Sequence, residues 1–232
     1  MISGRIGDWI RDYLLVVGRF FAARGLTANG ATLIGLALNV IVAVVIGAGQ
    51  PQWGGLLLLV ASGFDMVDGA IARASGTMTR FGGFLDSTLD RYSEVVVFLG
   101  VLIYLQGTAD AEIGALLVFV AGSGALLISY ARARAEAAGY TAAVGLVARP
   151  ERIILLALAL LIDRPLWALW ILAATTHATA LTRILHVWRL SVRERPPAGT
   201  QPAASSAPPP PLPKVDPPRA VRAATAKRRR RP

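Results

Sequence analysis

The stretch Asp65-Met66-Val67-Asp68-Gly69-Ala70-Ile71-Ala72-Arg73, continued by Gly82, Asp86 and Asp90, sets four carboxylates inside otherwise apolar sequence. An ionised group at membrane depth is costly unless it is paired or metal-bound, so each acid there is a functional candidate. Asp65 and Asp68 are three apart, and Gly69 and Ala72 continue the same helical face. Gly82, Asp86 and Asp90 step by four along one face of the next segment. The connection between the two segments is short, which predicts antiparallel neighbours whose acidic faces converge near one end. Hard cations such as Mg²⁺ take carboxylates and substrate phosphates together. Four carboxylates can hold two divalent ions, the arrangement that clamps the attacking and leaving oxygens in a displacement at phosphorus. Arg73 offers a fixed fork of donors to a phosphate. Helix capping, or pairing with Arg73, Arg80 and Arg91, would absorb two of the acids but leaves this spacing unexplained.

The surroundings are those of an all-α integral membrane protein. Hydrophobic residues make up 54% of the 232 residues. About 20 apolar residues cross a bilayer as a helix, and six segments qualify, near 31–48, 53–74, 81–105, 113–133, 152–162 and 166–188. The fifth is short and is expected to begin upstream, near Gly145, or to be shielded by neighbours. Arginines concentrate before the first segment and in alternate connections, at Arg73 and Arg80, Arg132 and Arg134, Arg149 and Arg152. Arg183, Arg189 and Arg193 lie near the end of the sixth. The positive-inside rule then puts both termini and the carboxylate end in the cytoplasm, which makes this a multi-pass plasma-membrane protein.

The flanks differ from this core. Residues 1–24 repeat Trp9, Ile10, Tyr13, Leu14, Val17, Phe20 and Phe21 at helical spacing, with Arg and Asp opposite. That pattern predicts an amphipathic helix in the cytoplasmic interface, and Asp8, Arg11 and Asp12 argue against a signal peptide. Residues 25–190 form the six-helix domain. Residues 196–232 hold 11 of the 14 prolines, both lysines, eight basic residues and one acid. Such a composition buries no core and reads as a disordered tail. Its terminal Lys227-Arg228-Arg229-Arg230-Arg231 suits anionic headgroups after a cytoplasmic membrane exit better than nucleic acid, and no nucleic-acid partner is expected. The absence of cysteine excludes disulfides and thiol chemistry. The absence of lysine before Lys214 excludes a Walker-type phosphate loop in the membrane domain.

The run Asp65-x2-Asp68-Gly69-x2-Ala72-Arg73-x8-Gly82-x3-Asp86-x3-Asp90 resembles, at every specified position, the signature of the CDP-alcohol phosphotransferases. The resemblance covers roughly residues 20–190. It implies a six-helix homodimer that moves a phosphate-bearing group from a CDP-alcohol, usually CDP-diacylglycerol, to an acceptor hydroxyl with release of CMP. It further implies Asp65, Asp68, Asp86 and Asp90 as ligands of two Mg²⁺ or Mn²⁺ ions, with Asp90 also the proton acceptor. Gly69, Arg73 and Thr79 would contact the CDP moiety. The stretch Gly25-Leu26-Thr27-Ala28-Asn29-Gly30-Ala31-Thr32 resembles the family's approach to its first span and adds Asn29 and Thr32, with Ala28 where proline is common.

Later segments are similar to the phosphatidylinositol phosphate synthases of actinobacteria and their archaeal relatives. These segments are Ser129-Tyr130-Ala131-Arg132-Ala133-Arg134-Ala135-Glu136, Arg149-Pro150-Glu151-Arg152, and Arg183 followed by Trp188. That likeness implies an acceptor pocket of Arg132, Arg149 and Arg183 for the phosphate of a phosphorylated polyol such as inositol phosphate. Arg132 replaces a usual lysine, Ala148 a usual acid, and Glu94 a usual aspartate. Glycerol phosphate is the alternative acceptor. A transporter would also carry intramembrane acids, but it commonly shows internal repeats, and none is seen. A membrane scaffold with a basic tail is the third class; it predicts nothing that depends on the aspartates.

Overall fold

The computed structural model describes residues 16–194, so the expected N-terminal amphipathic helix is described only in its last turns and the basic tail lies outside. Helix α1 covers 16–22. It is followed by α2 (Ala28–Gly47), α3 (Pro51–Ser75), α4 (Arg80–Gln106), α5 (Ala111–Ala137), α6 (Arg149–Leu161) and α7 (Pro165–Arg193). No strand occurs among the described residues. The boundaries follow local chemistry. The Thr27 and Thr79 hydroxyls accept from the N–H groups of Gly30 and Gly82 and so cap α2 and α4. Pro51 opens α3, where a missing N–H costs nothing. Gly76, at φ +66°, closes α3 in the left-handed conformation that a side chain disfavours.

One core runs through the bundle. Each long helix contributes a side chain at 2% exposure or less: Ile46, Leu58, Val101, Ala121, Leu160 and Leu169. Helix α2 packs on α3 and α4, α3 on α6, and α4 on α5. The chain turns back on itself after four residues between α3 and α4, which makes those helices antiparallel as the spacing predicts. The α1 segment lies on the bundle through Val17 and Phe21, whose ring meets Phe64 edge-on at 6.2 Å.

The outward faces are apolar: Leu33, Val44, Val60, Phe119 and Trp167 are among many large hydrophobic side chains left exposed. Helices α2, α3, α5 and α7 are long and apolar enough to cross a membrane. Helix α4 is long but carries Asp86, Asp90, Arg91 and Glu94. Helix α6 has only 13 residues. It does not begin near Gly145, one of the two expectations for it. Gly145 sits at φ +155°, outside helical space, and the segment there is held open by bonds from Leu146 N to Thr179 Oγ1 (3.2 Å) and from Arg183 Nε to Val144 O (2.8 Å). The other expectation, shielding by neighbours, describes α6 well: Arg152, Leu156, Ala157, Ala159 and Leu160 are buried.

Candidate metal and phosphate site

The four aspartates lie on the last turns of α3 and the first turns of α4, at the same end of the bundle. Asp68 is 8% exposed and accepts a hydrogen bond from Thr32 Oγ1 of α2 at 2.9 Å. Asp86 lines the same cavity as Asp68. Asp65 lies against α2 at Gly35, where a Cβ would fall 2.6 Å from its Oδ1, so a side chain there would make this carboxylate shift. The remaining contact was not foreseen. Arg149, at the start of α6, donates from Nη2 to Asp65 Oδ2 at 2.9 Å and pairs through Nη1 with Asp90 Oδ1 at 2.8 Å.

The arginine thus divides the acids into two sets: Asp65 and Asp90 on its guanidinium, and Asp68 with Asp86. Among the described residues no three acidic or histidine side chains close on one point. The donor chemistry nevertheless fits hard divalent ions. It is all oxygen, it is largely shielded from water, and two of its carboxylates, Asp68 and Asp86, line one cavity.

Two cavities flank these acids. The first, of about 190 Å³, is lined by Asn29, Thr32, Gly69, Arg73 and Thr79 together with Asp68 and Asp86. All five residues expected around the nucleotide therefore share one pocket with two of the acids. Arg73 folds back over Gly69, where a Cβ would lie 3.2 Å from its Nη1.

The second is an open cleft of about 850 Å³ between α4, α5, α6 and α7. Arg132, Arg149 and Arg183 all line it, as expected of an acceptor pocket, although they differ in commitment. Arg132 makes an exposed pair with Glu136 at 2.8 Å, a contact of little energetic weight. Arg183 spends Nε and Nη1 on the carbonyls of Val144 (2.8 Å) and Ile128 (2.6 Å). Arg149 lines this cleft and also pairs with Asp65 and Asp90. Sequence reading missed Arg91 and Arg152, which line the same cleft. It also missed the pairing of Arg152 with Glu94, at 2.9 Å from Nε and 3.1 Å from Nη2. Their spacing along α4 and α6 was the available signal: Glu94 is one turn past Asp90, and Arg152 one turn past Arg149.

Residues 25–188 match the CDP-alcohol phosphatidyltransferase family, which covers more than two-thirds of the chain. The chain belongs to that family. It is therefore a transferase, and the transporter and scaffold readings fall away. Among its relatives is the archaetidylinositol phosphate synthase of Pyrococcus horikoshii, 33% identical over 78% of this chain and 93% of the relative. The phosphatidylinositol phosphate synthase of Mycobacteroides abscessus is 38% identical over 72% of this chain and 79% of its own length. The crystal structure of the Mycobacterium tuberculosis phosphatidylinositol phosphate synthase with CDP-DAG bound superposes with a TM-score of 0.72 at 29% identity, covering 82% of this chain and 98% of that one. A second crystal structure of the same synthase, in complex with manganese and citrate, gives a TM-score of 0.71. This family transferase thus resembles synthases of the group that its later segments pointed to.

Proposed function

We propose that this family member transfers the phosphatidyl group of CDP-diacylglycerol to a hydroxyl of inositol phosphate, giving phosphatidylinositol phosphate and CMP. The observation that carries the reading is a pair of unlike pockets beside the acids: one is lined by Asp68 and Asp86, and the other by Arg149, which reaches Asp65 and Asp90. The Asn29–Arg73–Thr79 pocket suits a diphosphate with its nucleoside, and the arginine cleft suits a second, separate phosphate. A free polyol would give that cleft nothing charged to bind, whereas a phosphate takes charge-assisted bidentate contacts. The manganese complex and the CDP-DAG complex of the M. tuberculosis synthase support the same assignment.

In this reading the oxygen of the acceptor hydroxyl bonds to the lipid-bearing phosphorus. The bond from that phosphorus to the bridging oxygen breaks, CMP departs, and the hydroxyl proton passes to the Asp90 carboxylate. Two divalent ions, Mg²⁺ or Mn²⁺, held by Asp65, Asp68, Asp86 and Asp90, would neutralise the diphosphate and the charge that develops on it. Thr32 orients Asp68. Arg73 and Thr79 hold the nucleotide side. Arg149 pairs with Asp90, so the base becomes available when that guanidinium turns to the acceptor's phosphate.

The proposal extends to the bilayer setting. We read α2 to α7 as six spans with the acid end cytoplasmic. Exposed Trp53, Trp167 and Trp170 mark the opposite end, and exposed Tyr92, Tyr130 and Trp188 lie toward the acid end, the pairing of aromatic belts expected at two interfaces. A homodimer, a plasma-membrane location and an interfacial N-terminal helix belong to the same reading.

The test is a radiolabelled transfer assay. Purified protein with CDP-diacylglycerol and Mg²⁺ is offered inositol phosphate, inositol, glycerol phosphate or serine. Transfer to inositol phosphate that EDTA stops and fresh Mg²⁺ restores is expected. Equal use of inositol, or preference for glycerol phosphate, overturns the acceptor assignment.

A further inference from the structure

Helices α4 and α6 both start at the acid end, and although α6 packs on α3, two of its arginines reach across to acids of α4. On α4, Asp86, Asp90 and Glu94 recur every four residues; on α6, Arg149 and Arg152 are three apart. The first rung is Arg149 with Asp90 at 2.8 Å. The second is Arg152 with Glu94, two hydrogen bonds at 2.9 and 3.1 Å between side chains only 3% and 8% exposed. The second rung is therefore the more deeply buried, and it lies outside the four-acid motif. A buried ion pair of this kind seldom adds net stability over an apolar pair of the same size. Its persistence calls for a role other than stability.

The position of α6 along the bundle supplies that role. The helix is 13 residues long, and the Ala148 side chain at its N-cap makes no hydrogen bond. The Glu151 carboxylate accepts from the Ala148 N–H, a bond that stays within the helix. Its far half is located by Gly55 of α3, which lies against Ala157 and Leu160. Its near half, which carries Arg149, has the two rungs. Arg149 itself must exchange partners if it serves the acceptor, so the first rung cannot fix the helix throughout a turnover. The second rung can.

We propose that Glu94 is a positioning residue. By clamping Arg152 it fixes the height of α6 against α4, and it thereby sets where Arg149 presents its guanidinium to the acceptor's phosphate. The inference rests on the reading of the cleft as the acceptor site. Glu94 also stands 4.0 Å from Arg91, a second cation on the cleft wall, so one carboxylate holds two of the cleft's arginines.

The experiment is steady-state transfer by the full chain in detergent, with each substrate varied in turn. The variants are Glu94→Gln, Glu94→Asp and the apolar pair Glu94→Leu with Arg152→Leu. Glu94→Gln is expected to raise the acceptor KM at least ten-fold, with the KM for CDP-diacylglycerol changed less than two-fold and kcat within about three-fold. Glu94→Asp, which keeps the charge, should return the acceptor KM to within about three-fold of wild type. A merely structural role would lower the active fraction, and so kcat, and leave both KM values alone; that result overturns the proposal. If Glu94→Gln fails to fold, the apolar pair is measured instead. Because Arg152 itself lines the cleft, Arg152→Lys is measured beside the pair: a raised acceptor KM in this charge-keeping variant supports the positioning role, and a wild-type value overturns it. Absence of transfer to any phosphorylated acceptor by the wild-type protein marks failure of the acceptor reading itself, distinct from these outcomes.

Discussion

Replacing Arg149 by alanine should move two binding constants in opposite directions. The guanidinium donates to Asp65 at 2.9 Å and to Asp90 at 2.8 Å, with side-chain exposures of 21%, 14% and 20% for the three residues. In the acceptor complex proposed above, the same donors would serve the phosphate. Two charge-assisted hydrogen bonds are worth roughly 1.5–3 kcal/mol each, and partial exposure together with the lost contacts to Asp65 and Asp90 reduces the net difference. A net loss of about 2–4 kcal/mol in acceptor binding corresponds to a KM raised about 30- to 1000-fold, at about 1.4 kcal/mol per factor of ten. Divalent binding should instead tighten, because Asp65 and Asp90 lose a competing cation. The assay is transfer at saturating CDP-diacylglycerol with inositol phosphate varied, paired with Mn²⁺ titration of the same sample by calorimetry. An unchanged acceptor KM, a matching rise in the KM for CDP-diacylglycerol, or weaker Mn²⁺ binding in Arg149→Ala would refute the dual role.

Other variants probe separate parts of the site. Asp90→Asn should cut turnover by about 10²–10⁴-fold, the usual contribution of a positioned base, while binding of CDP-diacylglycerol in a pull-down stays near wild type; wild-type turnover sinks the base assignment. Thr32→Val removes the 2.9 Å bond to Asp68 and should weaken Mn²⁺ binding by about ten-fold, since a hydrogen bond to a charged group contributes roughly 1.5–3 kcal/mol. Calorimetry showing no change would mean that Asp68 needs no such support. Deleting residues 200–232 should leave detergent activity intact and reduce adsorption to anionic vesicles in a salt-sensitive manner. Loss of transfer on deletion would give the tail a place in the reaction.

Much of the site was legible because periodicity along one helix survives in the sequence. Asp65 with Asp68, and Asp86 with Asp90, announce two acidic faces, and the four-residue connection forces them together. Asn29 and Thr32 needed the family resemblance, since nothing in a polar pair before an apolar run says which pocket it enters. Pairings across helices left only a weak trace, the one-turn spacing of Glu94 after Asp90 and of Arg152 after Arg149. Arg149 and Asp65 are 84 residues apart, and Arg152 and Glu94 are 58 apart. Composition counted Arg149 and Arg152 as cytoplasmic anchors, and their partners were invisible because a charge on one helix does not say which helix it faces. Glu94 was read only as a departure from the usual aspartate. The role proposed for it depends on Arg152 of α6 reaching α4, a fact of topology.

The shortness of α6 then acquires a physical reason. Thirteen residues make about 20 Å of helix at 1.5 Å per residue, about 10 Å less than a hydrocarbon core of roughly 30 Å. A helix of full length starting from the Trp167 end would carry its first arginines out to the headgroups, where they would be solvated anchors. On the six-span reading, α6 is truncated by roughly seven residues and so brings Arg149 and Arg152 level with Asp90 and Glu94. Non-helical backbone at that depth is tolerated only where it is buried in protein or lines a cavity. The segment before α6 meets this condition: Val144 O and Leu146 N are taken by Arg183 and Thr179 of α7, and Ala148 lines the cleft. Arg183 thus does for the loop what Glu94 does for the helix. A shortened span, two inward arginines and a loop held by a third are one solution to the problem of bringing a phosphate down to a row of carboxylates.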